Sequence, residues 1–201
     1  MTATKGIPAL ADQLPRDGRR ARRHRSRDLV VDALLDLLDE GVARPTAQLV
    51  AERSGVSLRS IFRIFDDVET LHIEASARQL ERHRDLFVEV ASDGSLVDRI
   101  DAIVEAHDRL YEVVAPVRRA ALRAAPDSKA LTQQLELARS WHRADVERVF
   151  AAELDGASAP TRAALEAALS FETWDQVATA QGQKPQARRA TIARLVHALL
   201  D

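Results

Sequence analysis

The chain has 201 residues, 46% hydrophobic and 30% charged, a composition that suits a folded globular protein long enough to bury a real core. It contains no cysteine, which excludes disulfides, thiolate metal sites and a cysteine nucleophile. No apolar run approaches the roughly 18 residues of a membrane helix and the basic start lacks an apolar segment, so neither a span nor a secretory signal is expected and cytoplasm is the default location.

Only 4% of residues are aromatic, so the core must be built mainly from Ala, Leu, Val and Ile. The net charge of −2 says nothing of nucleic acid, but its distribution does. Residues 1–15 carry Pro8 and Pro15 and no sustained period, and read as disordered. Arg16, Arg19, Arg20, Arg22, Arg23, Arg25 and Arg27 then follow, opposed only by Asp17. Such a block is either a solvated, self-repelling tail or, ahead of a nucleic-acid reader, an arm whose arginines pair with phosphates or enter a narrow minor groove. Residues 1–25 are taken as a disordered basic arm, with Arg22, Arg23 and Arg25 as its DNA-contacting candidates.

A first helix is expected from about Arg27 to Glu40, striped by Leu29, Val30, Ala33, Leu34, Leu37 and Leu38 and stopped by Gly41. Pro45 leaves Thr46 to cap a second helix that runs to about Arg53. Ser54-Gly55-Val56 breaks it, Gly55 tolerating a left-handed backbone. Ser57 caps a third helix in which Ile61 and Phe65 face back and Leu58, Arg59, Ser60, Phe62 and Arg63 face outward or to the flanks. Two short helices joined by a glycine-containing turn make the DNA-binding helix-turn-helix unit, whose second helix enters the major groove. Arg59 suits bidentate pairing with guanine. Leu58 suits either a thymine methyl or a packing contact, Arg63 reaches toward phosphate, and Arg44 and Thr46 sit where phosphate could meet the second helix.

The run Ala51-Glu-Arg-Ser-Gly-Val-Ser-x-x-Ser-Ile-Phe-x-x-Phe65, with Glu69, Leu71 and the striped helix before it, resembles the TetR family of bacterial transcription regulators. The specific part of the resemblance covers roughly residues 25–75. Members commonly carry Tyr, His and Lys where this chain has Phe62, Ile64 and Val68, residues associated with backbone phosphate. Either Arg59, Arg63 and the arginine arm compensate, or DNA binding is weak; compensation is the favoured reading.

Asp66 and Asp67 are N-cap candidates for a fourth helix expected to reach about Ala91 and to link head and body. Beyond it the pattern is helical from Ser95, with breaks at Pro116, Pro126-Asp127, Asp155 to Pro160 and Gly182 to Pro185. His107, Tyr111, Trp141 and His142 fall on or beside apolar stripes. Each is either an ordinary core residue or, as the resemblance implies, part of a pocket for a small effector. A helix from about Pro160 to Ala180 and a last one from Pro185 to Leu200 resemble the family's dimerisation pair, with Leu165, Leu169, Trp174, Ile192, Leu195, Val196 and Leu199 as interface candidates.

The expected fold class is therefore all-α: a three-helix helix-turn-helix head at residues 26–70 on a larger helical bundle at 71–201 that binds an effector and dimerises through its last two helices. No phosphate-cradling glycine-rich loop, metal-binding histidine spacing or acid–base pair stands out, so neither an enzyme nor a cofactor is expected. The implied partners are a double-stranded DNA operator, a second copy of the chain and a small-molecule effector, with no membrane. The implied activity is a dimeric, ligand-responsive repressor of a near-palindromic operator. The alternative is a helical protein-interaction module of the same fold that has lost specific DNA binding.

Overall fold

A computed structural model describes the chain from residue 14 to residue 200, with side chains from residue 20. Its helices are α1 (Leu14–Asp39), α2 (Ala47–Ser54), α3 (Leu58–Ile64), α4 (Val68–Arg82), α5 (Leu96–Ala124), α6 (Lys129–Val149), α7 (Ala151–Leu154), α8 (Ala159–Ala168), α9 (Phe171–Asp175) and α10 (Pro185–Leu200). No strand occurs among the described residues. The chain divides into two compact units, one ending at Ala75 and the other starting at Ser76, so α4 contributes to both.

In the first unit, α1 begins well before the expected Arg27. The expectation of a disordered arm is corrected for residues 14–25, since Arg16 to Arg27 lie on a helix; its residues 1–13 lie outside the described part. Arg and Ala are good helix formers, and Pro15 falls in the first turn, where a missing N–H is tolerated. Val30, Val31, Leu34, Leu35, Leu37 and Leu38 of α1 are buried, whereas Leu29, expected in the stripe, is exposed. Val50 of α2 and Ile61, Ile64 and Phe65 at α3 complete the core of this unit. Arg27 fastens it. Its guanidinium pairs with Glu74 of α4, donates to the Ile64 carbonyl at 2.8 Å and lies 4.6 Å from the centre of the Phe65 ring. Arg27 thus has a packing role that its place in a basic block did not reveal.

The second unit is a bundle whose core runs through Ile100, Ile103 and Val104 of α5, Val146 and Val149 of α6, Leu165 of α8, Phe171 and Trp174 of α9, and Ile192 and Val196 of α10. Helix α5 continues through Pro116, where a break was expected. An internal proline costs about 3 kcal/mol. Burying Tyr111 and Val117 on the flanking turns, at about 1.5–3 kcal/mol for each large apolar side chain, offsets this. Buried Gln79 also donates to the Val113 carbonyl at 3.0 Å, supplying a partner one turn before the proline.

Helix α4 stops at Arg82 rather than near Ala91, because the following chain turns inward. Val90 is buried, and Arg148 Nη1 donates to its carbonyl at 2.6 Å. The expected helix from Pro160 to Ala180 is also interrupted. Ser170 is extended and its hydroxyl accepts from the Thr173 N–H at 3.2 Å, so it starts α9 afresh; a π-helical turn at Gln176–Ala180 follows.

Leu165, Leu169, Trp174, Ile192 and Val196 are buried within the single chain. These five, expected at a dimer interface, form part of the intrachain core. Leu195 is exposed and Leu199 half-buried.

Candidate functional site

Two features carry potential chemistry, one in each unit. The first is the α2–turn–α3 unit. Thr46 caps α2, its hydroxyl accepting from the Leu49 N–H at 3.2 Å. Gly55 ends that helix at φ 68°, a conformation that disfavours any side chain with a Cβ. Ser57 then caps α3, its hydroxyl accepting from the Ser60 N–H at 3.3 Å and donating to the Ser60 hydroxyl at 2.9 Å. With Ile61, Ile64 and Phe65 buried, the opposite face of α3 is fixed toward solvent. Ser57, Leu58, Arg59, Phe62 and Arg63 are exposed there, and Ser60 is half-buried.

Arginine use in this unit divides cleanly. Arg53 is bidentate with Glu40, at 2.8 and 2.7 Å, and Arg27 is locked to Glu74. Arg59 and Arg63, four residues apart on one face, enter no ion pair among the described residues. Arg22, Arg23 and Arg25 on α1, and Arg44 and Thr46 before α2, are exposed as well. Of the three departures from the family pattern, Phe62 and Val68 are 57% and 54% exposed. Ile64 instead belongs to the core, its carbonyl bound by Arg27, so its lack of a polar group takes nothing from the outer surface. Asp67 is the cap of α4: its carboxylate accepts from the Thr70 N–H at 2.6 Å, which holds its pKa below the usual value.

The second feature is a cavity of about 550 Å³ in the second unit. It brings together His107, Tyr111, Trp141 and His142 from α5 and α6, with the C-terminal part of α4 and residues 86–89 completing the wall. Leu80, Leu110, Val114 and Leu135 make much of it apolar, while Trp141 is exposed at 58%. Sequence reasoning missed Gln79, Arg118, Gln134, Asp145 and Arg148, which also line it. A signal existed for Arg118, since positions 107, 111, 114 and 118 fall on one helical stripe.

The polar groups form a partly closed network. His142 Nε2 faces the Glu166 carbonyl at 3.2 Å, so this nitrogen carries the proton, and Nδ1 can accept from the Tyr111 hydroxyl at 3.3 Å. Tyr111 also lies 3.3 Å from the Leu169 carbonyl, and burial pushes its pKa well above normal. Burial opposes ionisation of Asp145, but hydrogen bonds from His107 at 3.4 Å and from Arg148 prevail and hold its pKa low.

Burial, helped by neighbouring His107, lowers the His142 pKa from 6.5 to about 4. A depressed histidine leaves stability intact above the unfolded value and removes it as pH falls toward the folded one. From this residue the loss is expected to be on the order of 2 kcal/mol at pH 5. Denaturant midpoints at pH 7 and pH 5 check this: His142→Gln should flatten the difference, whereas an unchanged pH response would mean that His142 does not carry it.

No family model and no curated protein matches the chain. Among solved structures, a transcriptional regulator from Rhodococcus sp. Rha1 aligns with a TM-score of 0.63 at 18% sequence identity, over 89% of this chain and 95% of that one. At that identity the likeness speaks for the fold. The chain has an all-α architecture with a helix-turn-helix head and a helical bundle, an architecture it shares with that regulator. Among the described residues no helix is long and apolar enough to cross a membrane.

Proposed function

We propose that this protein is a DNA-binding transcriptional regulator of the TetR type, acting as a dimeric, effector-responsive repressor. The observation that carries the proposal is the exposed face of α3. A glycine turn and two serine hydrogen bonds set its start, three buried side chains fix its rotation, and Arg59 and Arg63 stand outward without internal counter-ions. The first turn of such a helix is the part that meets base edges in a major groove, and Arg63 one turn later is suited to phosphate. Arg22, Arg23, Arg25, Arg44 and Thr46 extend the polar surface available to the DNA backbone.

The regulator from Rhodococcus supports this reading through its fold. Helix α4 supplies a route for regulation. Glu74 in its first part holds Arg27, while Gln79 and Leu80 in its last turns line the cavity. An effector that binds one arrangement of this helix better than another would shift the population of DNA-competent heads. Dimerisation would place two α3 helices on successive major grooves, with Leu195 of α10 as the outward apolar contact.

Binding to a non-specific duplex across a salt series tests the DNA reading. The logarithm of the affinity should fall steeply and linearly with the logarithm of salt concentration. A folded chain that shows no such dependence is not a DNA reader. The exposed Phe62 and Val68 would then favour the interaction-module reading, since they place apolar surface where phosphate donors would otherwise stand.

A further inference from the structure

Two guanidiniums line the cavity, and they differ in one respect. Arg148 is engaged by Asp145 and by the Val90 carbonyl. Arg118 enters no ion pair and donates no hydrogen bond among the described residues, and its Nε is sealed from solvent. Its guanidinium lies over the face of Phe171, 4.8 Å from the ring centre. Nearby carboxylates are committed elsewhere, Asp145 to His107 and Arg148, and Glu172 to Arg139 at 3.3 Å. Burial lowers the Arg118 pKa, the direction expected of a cation held without a counter-ion.

A contact with an aromatic face is weaker than an ion pair, so this half-buried guanidinium stands out within a fold that pairs its buried arginines. Arg99 has Glu153 and Arg188 has Asp108. Two more buried polar atoms among the cavity residues, His107 Nδ1 and Gln134 Oε1, also lack partners. The remaining wall offers apolar side chains such as Leu80, Leu110, Val114 and Leu135.

We infer that the cavity takes an organic acid, its carboxylate paired with Arg118 and its apolar body lying against Leu110, Val114 and Leu135. The volume of about 550 Å³ accommodates a medium-chain aliphatic or bicyclic aromatic acid. A carboxylate supplies what Arg118 lacks: a compact anion with two acceptor oxygens matched to the guanidinium fork. The inference rests on the reading of this cavity as the effector site, although binding can be measured without DNA.

Calorimetric titration of the full chain at pH 7 with decanoate against 1-decanol, and with 2-naphthoate against 2-naphthol, tests it. At least one acid should bind about tenfold or more tighter than its neutral partner. Arg118→Met should erase that preference, and Arg118→Lys should keep part of it. Without ligand, Arg118→Met should also unfold at a higher temperature than the parent chain, because a half-buried charge without an ion-pair partner has been removed.

Equal or tighter binding of the neutral partners, binding of neither acid, or an Arg118→Met chain that unfolds below the parent would each overturn the inference. The last result would make Arg118 a structural cation. The salt series separates the two readings. A chain that binds DNA but neither acid loses the acid site and keeps the DNA reading; a chain that binds an acid but not DNA does the reverse.

Discussion

Asp108→Ala is expected to lower the unfolding free energy by about 3–5 kcal/mol, among the largest losses any single substitution in the bundle should produce. Asp108 is 1% exposed and Arg188 4%. The Asp108 carboxylate takes three donors: the Arg188 guanidinium, the Trp174 indole N–H at 2.8 Å and Arg189 Nη1 at 3.5 Å. Arg188 also lies over the Trp174 ring, 4.8 Å from its centre. Alanine would leave a buried guanidinium whose nearest other carboxylate, Glu112, stands 3.8 Å from Nη2.

The size of the loss comes from the uncompensated charge more than from the attraction removed. Asp108→Leu combined with Arg188→Met should therefore recover most of it, since apolar residues of similar volume replace a buried pair at little net cost. Denaturant midpoints of the single and double variants check this. A double variant as unstable as Asp108→Ala would show that shape, and not charge, holds the junction of α5, α9 and α10.

Arg59→Ala is expected to weaken specific DNA binding by about 1–3 kcal/mol per half-site and to relax sequence preference at one base pair in each. Arg59 lies on the exposed first turn of α3, beside Ser57 and Leu58. Its backbone is fixed by the Ser57 cap and by buried Ile61, so substitution should leave the fold intact. Lysine should rescue poorly, because a point charge cannot reproduce the bidentate fork. Arg63→Ala should instead weaken binding to all sequences alike and reduce the salt slope by about 1. Titrations of parent and variants on one duplex at two salt concentrations separate the two roles. Identical behaviour of the two alanine variants would remove the distinction between a base reader and a phosphate contact.

The head was legible where local rules decide the outcome. Gly55, Ser57, Ile61 and Phe65 each do what turn chemistry, capping and helical spacing require, so α2 and α3 could be placed from the residues alone. The start of α1 was misread because a run of arginines suggests repulsion, whereas the helix propensity of Arg and Ala prevails. Pro116 was read as a break because its cost is local, while the burial that offsets it depends on packing against distant residues.

In the bundle, Asp108 and Arg188 are buried charged residues, and the pattern held a clue: Asp108 shares a stripe with Val104 and Tyr111, and Arg188 shares one with Ile192 and Val196. The four cavity candidates, His107, Tyr111, Trp141 and His142, were chosen for apolar stripes and do line one cavity. The expected dimer residues came from the same kind of pattern, but a stripe cannot tell burial within a chain from burial between chains. That is why Leu165, Leu169, Trp174, Ile192 and Val196 proved to be core.

Selection of bound sequences from random double-stranded DNA, by the purified chain at near-physiological salt, tests most directly the claim that α3 reads DNA. A near-palindromic motif is the expected result, with half-sites about one helical turn or more apart and a preference at one position in each that disappears for Arg59→Ala. Recovery of no motif by a folded chain, or of a motif that Arg59→Ala leaves unchanged, would contradict the account.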